Sequence, residues 1–93
     1  MPRYLVERTV SEEAQEDLPD FGSRMKRAVT EQFPDMRWEH SHVVSDESTI
    51  KTFCVYEAPD EEMVRQHAAV VGDHVVGRVY EIAGDVTPAD FAG

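Results

Sequence analysis

Much of what stabilises or specialises a small chain is missing from this sequence. Cys54 is the single cysteine among 93 residues, so no intrachain disulfide forms and no paired-cysteine zinc motif exists. Glycine and proline number five each, too few for a collagenous or low-complexity chain. No apolar run nears the roughly 18 to 20 residues of a membrane span, which excludes a transmembrane helix. The opening, MPRYLVERTV, has one early arginine and then alternates. It lacks the apolar centre of a secretory signal, so the expected compartment is the cytoplasm. Glycine-rich phosphate loops, dinucleotide fingerprints and a locally supported Ser-His-Asp set are absent as well. Basic charge is scarce: nine Lys and Arg face nineteen Asp and Glu, a formal net charge of −10. That field repels phosphate backbones and anionic membrane surfaces, so neither nucleic acid nor membrane is an expected partner. Cations, basic proteins and neutral ligands fit better, and the acidity also keeps a small protein soluble.

What is present describes one modest globular unit, 41% hydrophobic and 30% charged. The reading is a single domain over 1–86 and a C-terminal tail over 87–93. Arg3 to Val10 alternates with period two, Tyr4, Val6 and Arg8 on one face and Leu5, Glu7 and Thr9 on the other. Ser11 to Asp17 is acidic and fits either a helix start or a loop. Asp17-Leu18-Pro19-Asp20 signals a helix that carries Phe21, Met25, Ala28, Val29 and Phe33 at helical spacing until Pro34. Met36 to Val44 reads as a second strand, with Trp38, His40, His42 and Val44 on one face. Turn chemistry at 45–48 leads into a third strand, Thr49 to Ala58, whose middle is apolar on both sides. Pro59-Asp60-Glu61-Glu62 opens a second helix, with Met63, Val64, His67, Ala68 and Val71 as its inner stripe and Gly72 as its stop. Val75 to Ala83 supplies the last strand, with Gly77 a bulge or close-approach point.

The order is βαββαβ. In about 90 residues it predicts an α+β, ferredoxin-like sandwich: a four-stranded antiparallel sheet with two helices on one face. Two helices cover one sheet face only. The other carries apolar residues beside two imidazoles, so the expectation is a two-fold homodimer, sheet against sheet.

Tyr4-Leu5-Val6-Glu7-Arg8, Trp38 with Ser41, Lys51, Cys54-Val55-Tyr56, Ala58-Pro59 and Glu62 form a recognisable series. Arg65 with His67-Ala68, Gly72 and Val79-Tyr80-Glu81-Ile82 extend it. Together they resemble a small bacterial family once classed only as a domain of unknown function, whose best-known member is a nickel-binding, nickel-responsive protein. The resemblance spans most of residues 3–88, and 54–72 is its specific part. It implies a ferredoxin-like dimer and nickel binding. His40, His42 and the Gly72-Asp73-His74 stretch depart from the family pattern, so the ligands need not be the same here.

Two constellations carry the candidate chemistry. His40-Ser41-His42 places two imidazoles on one strand face, close enough to share a divalent ion, and imidazole suits nickel, copper and zinc. Four imidazoles would converge in a two-fold dimer. The bland alternative is a hydrated, polar dimer seam. Cys54 and His67 form the second pair, a thiol on a strand and an imidazole on the inner stripe of the following helix. They suit a borderline-soft cation, or a nucleophile and base, with Tyr56 on the same face as Cys54. The alternative there is a small buried thiol beside a hydrogen-bonded core histidine. A two- or four-residue hairpin loop separates the pairs onto opposite faces; a three-residue loop or a bulge would unite them. His74, after the helix stop, is expected at the surface. The functional expectation is a small cytoplasmic nickel-binding or nickel-responsive protein with metal ligands among His40, His42, Cys54 and His67. The alternative is a dimeric enzyme of the α/β-barrel type, or a ligand-binding accessory protein, with a pocket around Cys54, Tyr56 and His67.

Overall fold

Strand β1 (Arg3–Val10) alternates buried and half-buried side chains along its whole length in the computed structural model, which describes residues 1–91. Tyr4, Val6, Arg8 and Val10 point to the helices, and Leu5, Glu7 and Thr9 to the open side of the sheet. Period-two patterning thus sets the orientation of the central strand. After a short helix α1 (Glu12–Gln15), helix α2 (Leu18–Gln32) crosses the sheet and turns Phe21, Met25 and Ala28 inward. Strands β2 (Arg37–Asp46) and β3 (Thr49–Glu57) form a hairpin, helix α3 (Glu61–Val71) buries Val64, His67, Ala68 and Val71, and β4 (His74–Glu81) closes the sheet. All pairings are antiparallel, in the order β2-β3-β1-β4. That is the predicted ferredoxin-like arrangement, with one helical turn more than expected, because Ser11 caps the acidic segment by accepting from the Ala14 amide at 3.1 Å. Among the described residues no helix is long and apolar enough to cross a membrane.

Side-chain caps set the helix starts. Asp17 accepts from the Asp20 amide at 3.1 Å and Asp60 from the Met63 amide at 2.8 Å. Gly72 ends α3 at φ 69, the left-handed region. Arg24 joins the two long helices, donating to the Val71 carbonyl at 3.0 Å and pairing with Asp73 at 2.9 Å.

Register departs from simple alternation twice. Asp46 pairs with Thr49, so the hairpin turn is the two residues Glu47-Ser48, with Glu47 at φ 56. Further along, Trp38 pairs with Tyr56 and His40 with Val55, leaving Glu39 as an extra residue. This bulge places Trp38 on the helix side, where its Nε1 donates to Ser41 Oγ at 2.9 Å. Simple alternation puts Trp38 beside His40; one inserted residue inverts the face, because side chains alternate with period two. The second bulge lies between Val6 and Arg8, where Gly77-Arg78 oppose Glu7. A Cβ at Gly77 would lie 2.5 Å from Glu7 Oε1, which accounts for glycine there.

The core lies between helices and sheet, around Tyr4, Val6, Phe21, Met25, Cys54, Tyr56 and Val64. On the other sheet face, Val75 and Tyr80 are 70% and 47% exposed. After β4, Arg3 holds Asp85 at 2.7 Å and a short 3-10 turn spans Pro88–Phe91. Residues 92–93 of the expected tail lie outside the described residues.

Candidate functional site

His40 and His42 sit on β2, an edge strand, with His40 opposite Val55 and His42 opposite Phe53. Both are exposed on the open sheet face. Their ring centroids are 5.3 Å apart, with the planes at 85°. Neighbouring Glu39 is already engaged: it accepts from Arg3 Nε at 2.7 Å, and this hydrogen bond holds its carboxyl below the usual carboxylate range. Among the described residues no group of three or more His, Cys, Asp and Glu side chains is arranged to hold a metal ion. One protomer therefore offers two imidazoles, and a metal held there would need water or a second copy to complete its coordination shell. His74 does not contribute. It lies on β4, three strands from β2, half-buried with its ring edge-on to Phe21 and Nδ1 donating to the Gly72 carbonyl at 2.7 Å. The expectation of an exposed His74 is corrected here, because pairing with Val10 draws it onto the helix side.

Cys54 and His67 are completely buried on that helix side. Cys54 stands between Val6 and Ser41 in the sheet, opposite in facing to the histidine pair. The two-residue turn therefore separates the constellations, as the shorter loop requires. His67 Nε2 lies 3.1 Å from the Met25 carbonyl. A carbonyl only accepts, so Nε2 carries the proton and Nδ1 is left as a buried atom without a partner. Burial pushes the His67 pKa down to about 4, with the Arg8 charge acting in the same direction. The imidazole is thus neutral, edge-on to Tyr56 at 5.4 Å and to Phe33 at 5.8 Å.

The central group of this cluster is one to which the sequence reading assigned no role. Arg8 is fully buried and projects inward from β1. Its Nη1 donates to the Tyr56 hydroxyl at 2.7 Å and lies 3.7 Å from both Cys54 Sγ and Met25 Sδ. Nε and Nη2 have no partner. The guanidinium carbon sits 5.1 Å from the Tyr56 ring centroid. Burial raises the Tyr56 phenol well above its ordinary value, so it stays a neutral acceptor and does not balance the charge. The signal was available: an arginine at an inward position of an alternating strand is a buried charge. A fixed positive charge against Cys54 makes the core a poor seat for a divalent cation.

The architecture is shared with proteins of unrelated sequence. A de novo designed protein with ferredoxin fold superposes with TM-score 0.61 at 14% identity, covering 95% of this chain and 90% of that one. The C-terminal domain of the MgtC protein from Mycobacterium tuberculosis superposes with TM-score 0.55 at 12% identity, covering 90% and 88%. At such identities only the fold is shared. No curated protein matches the chain. Family assignment is more specific, because it spans the first strand, the exposed imidazoles, the buried Arg8–Cys54–Tyr56–His67 cluster and the last strand together. Residues 4–82 match the family described as nickel responsive protein SCO4226-like, and the chain belongs to that family.

Proposed function

We propose that this protein binds nickel through His40 and His42 on the open sheet face, in a cytoplasmic homodimer that buffers or senses the metal. The observation that carries the reading is the exposed imidazole pair at 5.3 Å, in a chain of a nickel-responsive family. Imidazole nitrogen suits nickel. A net charge of −10 raises the local concentration of cations. Two ligands per protomer make an incomplete shell, and a two-fold axis through the open face supplies two more. The same axis covers Val75 and Tyr80, which otherwise stand in water. The competing location is Cys54 with His67 in the core.

Titration calorimetry with nickel chloride, on protein purified without a histidine tag, tests this. The expected dissociation constant is tighter than about 0.1 mM, roughly −5.5 kcal/mol. His40→Ala with His42→Ala weakens it by about tenfold or more while the dimer remains folded. Affinity falls as the pH is lowered, because imidazole ligates only in its neutral form. Should Cys54→Ala or His67→Ala weaken binding and the strand pair leave it unchanged, the metal belongs to the core. Should none of these matter, or wild type bind more weakly than about 0.1 mM, the nickel reading fails.

A further inference from the structure

A cavity of about 120 Å³ opens between α2 and the β2–β3 hairpin. Its walls are mostly apolar: Leu18, Phe21, Met25, Trp38 and Val43. Ser41 of β2 and Thr52 and Cys54 of β3 complete the lining on the sheet side. Thr52 is buried, and its hydroxyl has no hydrogen-bond partner. Gly22 lines the cavity from α2, and a Cβ built there would meet nothing within 4 Å. Beside Thr52, on the neighbouring strand β1 and outside the cavity lining, stands Arg8, 3.7 Å from two lining groups, Cys54 Sγ and Met25 Sδ. Its side chain is entirely out of water, its partners are a phenol and two sulfurs, and two of its nitrogens are unpartnered.

An arginine cannot shed its proton, so this charge persists in the core. A buried cation with no anion beside it is among the most unfavourable arrangements in a protein interior. Among the described residues no carboxylate is bonded to it, although the chain is rich in them. We infer that the cavity is a binding site for a small organic carboxylate, its apolar body held between Phe21, Trp38 and Val43 and its carboxyl group directed to Thr52 and Arg8. The cavity is smaller than the roughly 150 Å³ that accommodates one benzene ring, so a short branched acid fits it as it stands and a single-ring acid fits once the wall gives way. Met25 is the movable part of the wall. Its unbranched thioether has three rotatable bonds, and turning Sδ away opens the path to the guanidinium. Planar, bidentate recognition of a carboxylate is what a guanidinium with two free nitrogens does best. This inference is independent of nickel, whose proposed ligands lie on the other sheet face.

Benzoate and its neutral analogue benzyl alcohol are the probes, titrated calorimetrically into the intact protein without metal. The expected result is saturable benzoate binding at about 1 mM or tighter, with benzyl alcohol weaker by about tenfold. Arg8→Met, checked for folding by circular dichroism, abolishes the preference for the acid. Gly22→Leu, which fills the cavity without touching Arg8, removes binding of both probes. The site is overturned by absence of saturable benzoate binding up to about 10 mM, by equal affinity for the alcohol, or by benzoate binding that survives Gly22→Leu. Were Arg8→Met unable to fold, the comparison of probes and the Gly22→Leu arm still decide the matter.

Discussion

Arg8 and Tyr56 are each other's best partner, and neither balances the charge they share. Removing only one of them strands a buried polar group; removing both leaves an apolar contact of similar shape. Arg8→Met with Tyr56→Phe is therefore expected to be neutral or stabilising, by up to about 4 kcal/mol in the absence of ligand, read as the urea midpoint at unchanged slope. Tyr56→Phe alone is expected to destabilise by about 1 to 3 kcal/mol, since Nη1 then keeps only the two weakly accepting sulfurs of Met25 and Cys54. His67 gives a pH signature. Its pKa is lowered in the fold to about 4, so the unfolded chain takes up the proton first as acid is added. Its neutral form favours the fold fully above the ordinary histidine range, and the advantage is lost as pH falls from about 6.5 towards 4, at up to about 1.4 kcal/mol per pH unit. Stability of His67→Leu measured against pH should be flatter than wild type across that window. Parallel curves would show that His67 is not held neutral by burial.

Among the elements, the caps and bulges decide more than propensity does. Asp60 holds the first turn of α3, the helix that delivers His67, so Asp60→Ala should cost about 1 kcal/mol in urea unfolding. Gly22 sits inside α2 with free space around its Cβ position, and its φ is not in the left-handed region. Gly22→Ala is accordingly expected to stabilise by about 1 kcal/mol, the difference in helix propensity. The Glu39 bulge separates roles along β2: Trp38 packs on the core side, while His40 and His42 keep the open side. Helix starts, stops and the inner stripes of α2 and α3 could be read from the residues, because capping and 3.6-residue periodicity are local. The bulge could not be, because Glu39 is extra only relative to β3 and is held by Arg3 from β1.

For the molecule as a whole, oligomeric state and thiol access are the tests. A sheet with helices on one side leaves Val75, Tyr80 and Val44 exposed on the other, and pairing of two such faces predicts a dimer. Sedimentation equilibrium at micromolar concentration should return twice the monomer mass. A monomer would remove the second pair of imidazoles and with it the proposed nickel shell. Cys54 is fully buried at the centre of the sheet, so a bulky maleimide should label native protein far more slowly than unfolded protein. Equal rates would contradict the packing of the core.

The strand-helix order, the antiparallel ferredoxin-like architecture and the membership of His67 and Cys54 in the interior were determined by the sequence alone. Each follows from alternation, periodicity or a cap acting within a few residues. Which side of the sheet Trp38 takes, the half-buried place of His74 and the isolation of Arg8 were decided only by tertiary structure. Register across strands sets a side chain's face, and what surrounds a charge depends on segments distant in the chain. Arg8 shows this most plainly: its position in β1 marks it as inward, but only the fold brings Met25, Cys54 and Tyr56 to it and leaves two of its nitrogens unpartnered.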